Sequence, residues 1–343
     1  MERPIMNPVS VIESPVTTPR SRRRRLAWRS FKLLFRLAWA TLMLDVLHPL
    51  GRAVRDEGFS LHRAWRAILY RLLFAPVVLV LICAVLVYTG THPPTTAIAL
   101  VDPIGQGVYY DPITFLADDR CRLEAWLVPV LDAKRILDRK EKALGERHPA
   151  VILVHDFGAT RKQMLPLVGP LHEAGFIVLA ITLRGGESGD RGASTFGLTE
   201  AMDVKAAVDL LRHTPFVEST KIAVIGVGTG ATAALLAGER DMNIAAIVAD
   251  QPAHSGNEVI ARFIAPQEPG MRWLSPFCKW SFDIAYGVDS SEIDLDRCTH
   301  ALRSRPVLIF DEGRPVILQA ARCKPVIDFL KKTLVTPARP LAA

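Results

Sequence analysis

Lys221-Ile-Ala-Val-Ile-Gly226-Val-Gly228-Thr-Gly230-Ala-Thr-Ala-Ala-Leu-Leu-Ala237 is an apolar run that turns sharply between Gly226 and Gly230 and continues as a helix of small residues. It reads as strand, tight turn, helix. Small residues on both sides of such a turn let strand and helix approach closely, and the side chain at its centre is lifted clear of the sheet. In Gly226-Val227-Gly228-Thr229-Gly230 that central position is a glycine, which has nothing to lift.

The surrounding chain repeats the pattern. Residues 150–154, 176–181, 221–225, 244–249 and 306–310 are short apolar runs, and helical segments are expected at 160–174, 199–212 and 320–334. Continuous apolar strands separated by helices predict an α/β fold, a mostly parallel sheet covered by helices on both faces. Residues 113–116 and 122–128 flank Asp118-Asp119 as a hairpin, and 132–148 is a charged surface insertion. Residues 251–304 interrupt the alternation with aromatics and prolines and are expected to form an irregular cap region.

The N-terminal third differs in kind. The chain has 343 residues and a net charge of +7, and most of the basic excess lies before residue 72. Residues 1–25, rich in Pro, Ser and Thr and ending in Arg22-Arg23-Arg24-Arg25, are expected to be disordered. Over 26–71 Trp28, Phe31, Phe35, Ala38, Leu42 and Val46 recur at helical spacing, with Arg29, Lys32 and Arg36 on an adjoining face. That amphipathic, membrane-proximal pattern suits a helix lying in a lipid interface, or one packed on another protein segment. Residues 72–89 open on an uncharged stretch of about 17 residues, long enough at ~1.5 Å per residue to cross a bilayer.

Five arginines stand between residues 52 and 71, whereas no Lys or Arg follows the apolar stretch before Arg120. The asymmetry places the N-terminus in the cytoplasm and the domain at 95–335 on the far side of the membrane. Because the basic residues sit beside the apolar segment, their partner is expected to be lipid, and no nucleic acid is expected. The five cysteines form no C-x-x-C pair and have no histidine at metal-ligand spacing, so neither metal nor cofactor is expected. Pairing among Cys121, Cys278, Cys298 and Cys323 is left open.

His155-Asp-Phe-Gly158, Arg184-Gly-Gly-Glu-Ser-Gly189, Phe196-Gly-Leu-Thr-Glu-Ala-Met-Asp203, the 226–230 turn and Ile247-Val-Ala-Asp-Gln-Pro252 occur in an order that resembles the α/β-hydrolase superfamily. The likeness covers about residues 110–335 and is nearest to membrane-anchored bacterial serine hydrolases, the BEM46-like and serine-peptidase-like branches. It implies a serine nucleophile at the turn, an acid after the strand at 306–310 and a histidine after that, with a bacterial inner-membrane location. This chain departs at each position. Gly228 replaces the serine, and no histidine follows His300. Asp311 or Glu312 reaches the acid position only through a loop shift, Arg314 standing near it.

Under the same resemblance His155, Asp156, Phe157 and Thr229 belong to the oxyanion side of the pocket. An ionised Asp156 there would oppose an oxyanion, or it turns outward and caps the helix entering at Thr160. The departures together predict a membrane-anchored hydrolase-like protein without catalysis, whose pocket holds a small-molecule or protein ligand or whose fold is a scaffold. The alternative is an ester or peptide hydrolase using a rearranged set of Thr229, Asp250 and His254, with Asp311 as a further candidate acid.

Overall fold

The computed structural model describes residues 61–92, 102–130, 146–185, 192–266, 269–311, 317–318 and 323–335. The expected disordered segment at 1–25, most of the 26–71 region, most of the charged insertion, the 186–189 part of the Arg184–Gly189 motif, and Glu312 and Arg314 lie outside them. The chain divides into two compact units, Met1–Pro76 and Val77–Ala343.

Helix α1, Leu61–Thr91, carries the uncharged stretch. Over Leu72–Thr91 it is long and apolar enough to cross a membrane. The helix ends at Thr91, and its last turns belong to the second unit. Cys83, Leu86, Val87 and Thr91 are buried there. At Gly90 a Cβ would meet the Phe263 carbonyl oxygen at 2.8 Å, so the absent side chain lets the helix approach the domain backbone directly. The Thr91 carbonyl also accepts the Ser194 N–H at 3.0 Å.

Seven strands form one sheet in the order β1-β2-β4-β3-β5-β6-β7. They are β1 Asp111–Leu116, β2 Arg122–Val128, β3 His148–Val154, β4 Ile177–Thr182, β5 Val217–Val227, β6 Ile244–Asp250 and β7 Val307–Phe310. The hairpin β1/β2 and the β2/β4 pair are antiparallel. From β4 to β7 every neighbour pair is parallel. β5, longer than expected from the apolar run, lies between β3 and β6.

Helix α2, Leu165–Glu173, and helix α8, Cys323–Leu330, cover one face. Val151, Leu153, Ile225 and Val248 from the strands meet Leu167, Val168, Leu171, Val326 and Leu330 in one core. Each such side chain stabilises the fold by about 1.5–3 kcal/mol on full burial. Helices α3, Glu200–Arg212, and α4, Thr229–Arg240, pack on each other and on β5.

The 251–304 region is more ordered than its prolines and aromatics suggest. It contains α5 Gly256–Val259 with a π turn over Ile260–Ile264, a 3-10 turn over Pro269–Leu274, α6 Ser275–Tyr286 and α7 Leu295–Ala301. Pro269 and Pro276 open their helical segments, where a missing N–H leaves no bond unmade. Ser255 and Asp294 cap α5 and α7 by accepting the Glu258 and Arg297 N–H groups.

Candidate functional site

β5 ends at Val227 and α4 begins at Thr229, so the whole reversal falls on Gly228, at φ 58° and ψ −119°. Such positive-φ backbone is strained for any residue with a Cβ. A Cβ at Gly230 would meet the His155 carbonyl oxygen at 2.5 Å and that of Val154 at 2.7 Å, so the helix start is pressed against the end of β3. The Gly228 N–H donates to the Asp250 carbonyl at 2.8 Å, tying the turn to the end of β6.

Asp156, in the loop after β3, points into this turn. Its Oδ1 accepts the Phe157 N–H at 2.7 Å, the Thr229 N–H at 2.9 Å and the Thr229 hydroxyl at 3.4 Å. It sits at the N-terminus of α4, where the helix dipole favours an anion. A Cβ at residue 228 would overlap this carboxylate. The alternative in which Asp156 turns outward to cap the Thr160 helix does not hold, since Thr160 carries no side-chain cap and the carboxylate is held inward by three donors.

Phe157, the residue after Asp156, joins a cluster of aromatic rings. Phe157 lies 5.0 Å from Phe196 and 5.1 Å from Phe263, and Phe196 lies 5.8 Å from Phe282 of α6. A cavity of about 380 Å³ lies to one side, lined by Asp119, Cys121, Arg184, Thr195 and Tyr286 among others and by none of the 226–230 residues.

His155 and His254 differ in burial. His155 is buried, and its Nε2 accepts the Leu183 N–H at 3.1 Å, so the proton is on Nδ1, which donates to the Asp156 carbonyl at 2.8 Å. Burial lowers its pKa and keeps the ring neutral. His254, in the loop after β6, is exposed and places Nε2 3.0 Å from Asp311 Oδ2 and Nδ1 3.4 Å from Glu258 Oε2. Asp250 is fully buried, and its Oδ2 accepts the Ile317 N–H at 2.9 Å. Among the described residues Thr229 Oγ1 bonds to Asp156 alone.

The fold matches solved structures. An esterase of Pyrococcus furiosus aligns in one crystal form over 71% of this chain and 99% of its own, at 20% identity and a TM-score of 0.50. In a second form it aligns over 71% and 98%, at 18% identity and a TM-score of 0.51. The chain has the α/β-hydrolase fold. No protein-family model and no curated protein sequence matches it.

The Thr229 N–H at the start of α4 and the Phe157 N–H from the loop after β3 form a cradle of donors closed around the chain's own carboxylate. The candidates Thr229, Asp250 and His254 each have a different partner, namely Asp156, the Ile317 N–H, and Asp311 with Glu258. The structure thus brings together two residues weighed separately, His254 and Asp311. It also draws Asp156, Phe157 and Thr229 to one point.

Sequence reasoning missed the carboxylates that fix the loops beside the turn. Glu200 is buried and accepts the Ser194 hydroxyl at 2.6 Å, the Thr195 N–H at 3.0 Å and the Gly197 N–H at 2.9 Å. Asp203, also buried, pairs with Arg184 at 2.6 Å, and Arg184 reaches Asp119 at 2.6 Å. Burial pushes the Asp203 carboxyl up to about 6 despite the guanidinium. Their trace in the sequence is two acids at i and i+3 in the first turn of the helix, within the Phe196–Asp203 motif.

Proposed function

We propose that this protein is a membrane-anchored α/β-hydrolase-like protein that performs no acyl transfer and serves as a ligand- or partner-binding domain or a scaffold. One observation carries the reading: the Asp156 carboxylate takes up both the space of a nucleophile side chain at 228 and the N–H groups that would stabilise an oxyanion. Acyl transfer needs an activated nucleophile and an electropositive cradle, and here a glycine and an internal anion stand in those places. Anchoring rests on the length and composition of Leu72–Thr91, and orientation on the arginines upstream of it, with the N-terminus cytoplasmic and the domain outside the bacterial inner membrane.

The purified full chain is expected to show no fluorophosphonate labelling above that of the heat-denatured protein, and no turnover of simple acyl esters. Labelling at Thr229, or turnover lost on Thr229→Ala, overturns the reading. The second reading, an ester or peptide hydrolase with a rearranged set, is favoured by the His254–Asp311 pair. It requires turnover lost in both Thr229→Ala and His254→Ala.

A further inference from the structure

We propose that Cys83 of α1 and Cys278 of α6 are joined as a disulfide, a covalent strap between the candidate span and the cap. The inference rests on the outward orientation read above, because disulfides form and persist in oxidising compartments. Of the four cysteines whose pairing the sequence leaves open, Cys278 meets the fifth: its thiol is in hydrogen-bond contact with that of Cys83. The Cys298 thiol donates to Glu239 Oε2 at 3.7 Å and the Cys323 thiol to the Ile317 carbonyl at 3.6 Å, so those two are directed at oxygen instead.

Helix packing puts the two thiols together. Cys83 and Cys278 are 195 positions apart in the chain, and so are Thr91 and Tyr286, whose hydroxyls meet at 2.7 Å. An equal offset at two contacts means that α1 and α6 run side by side in the same direction, in register from the thiols to the hydroxyls over about 12 Å. A Cβ at Gly90 would come within 2.9 Å of Ile264 Cγ1, so these turns of α1 lie tight against the domain. From hydrogen-bond contact the sulfurs close to about 2.05 Å by side-chain rotation and a small helix shift.

Both cysteines are buried, 2% and 0% exposed, so in the packed fold their thiols are out of reach of an oxidant. The bridge therefore forms as α6 comes down onto α1. The Cys278 thiolate attacks an oxidised protein disulfide of the outer compartment, forming a mixed disulfide and releasing one thiol; Cys83 then attacks the Cys278 sulfur and releases the second. The two electrons and two protons that the pair loses end in the two thiols of the spent oxidant. Once packed, the bridge is equally shielded from reductant. The loop it closes spans 195 positions, and long loops are those whose crosslinking restricts the unfolded chain most.

The test uses the full chain expressed in a bacterial inner membrane, precipitated with acid to stop exchange and alkylated with N-ethylmaleimide in urea. Digestion without reduction is expected to yield a linked peptide containing both Cys83 and Cys278. After reduction, a second maleimide should label these two at least about tenfold more than Cys298 or Cys323, as for a structural disulfide. Alkylation of both Cys83 and Cys278 before reduction overturns the inference. A Cys278 that stays oxidised in Cys83→Ser assigns it to another sulfur and also overturns it. Orientation is read separately, by a membrane-impermeant maleimide on intact spheroplasts carrying Met242→Cys, a position 75% exposed on the domain. Labelling above that of the unchanged chain, with Cys83 and Cys278 reduced, overturns the bridge and leaves the orientation intact. No such labelling, with both reduced, overturns both.

Discussion

The turn at Gly228 and the outer face of α6 break the usual placement of polar and apolar groups in opposite directions. At the turn a carboxylate is drawn inward, where a hydrolase needs open space. At α6 and the turn before it four large apolar side chains are left outside. The first exception is resolved inside the chain, since Asp156 finds two backbone N–H groups, a hydroxyl and a helix N-terminus. The second finds no partner among the described residues. A buried polar group with its bonds complete speaks of architecture, whereas an apolar stripe with none speaks of something outside the molecule.

The largest expected effect breaks the turn. Gly228→Ser forces a Cβ onto the Asp156 carboxylate at a positive φ, and should destabilise the domain by about 2–4 kcal/mol. Thermal unfolding of the detergent-solubilised full chain measures it. In Asp156→Gly/Gly228→Ser the overlap is gone, and the loss should be smaller than in Gly228→Ser by at least about 1 kcal/mol. A double variant as unstable as the single would mean that backbone strain, not the carboxylate, requires glycine.

Emptying the cradle comes next. Asp156→Ala leaves two N–H groups of the turn without their acceptor and should destabilise by about 1–3 kcal/mol. Acetate or formate should restore part of the melting temperature in this variant and not in the wild type, by binding where the carboxylate was. Absence of that rescue would argue that the cradle does not hold an anion by itself.

His155 gives a pH signature. Its folded pKa lies below the ordinary 6.5, so the unfolded chain takes up a proton that the folded one refuses. Its contribution to stability is complete above pH 6.5 and falls as pH drops below, by up to about 1.4 kcal/mol per pH unit. The urea midpoint of His155→Gln should depend less on pH between neutrality and pH 5. An unchanged dependence would assign the effect to other groups.

The smallest effect is expected at the exposed pair. His254→Ala or Asp311→Asn should change stability by less than about 1 kcal/mol, because solvent screens the interaction. A loss well above that would show that the loops after β6 and β7 depend on the pair.

Much of the fold was legible because it rests on local rules. Ala150 to Val154 and Ile244 to Ala249 are apolar without interruption, which a strand buried on both faces requires. Gly226, Gly228 and Gly230 mark a turn that side chains would block. The cap was less legible, because Pro269 and Pro276 read as breakers in the sequence and open helical turns in the structure. The site was legible only as a set of missing groups: the glycine at 228 and the absence of a histidine after His300 need no coordinates.

What lies against Gly228 did not follow from sequence. Asp156 and Gly228 are 72 positions apart in the chain, and that they exclude each other's side chains depends on β3 and β5 being parallel neighbours. The ties of His254 to Asp311 and of Tyr286 to Thr91 likewise join loops and helices distant in sequence. The sequence alone determined the parallel sheet, the sharp turn and the apolar helix, because hydrophobic period and glycine placement act within a few residues. Tertiary structure alone decided that the chain's own carboxylate closes the cradle and that the end of α1 is part of the domain, because both are contacts between segments that only packing brings together.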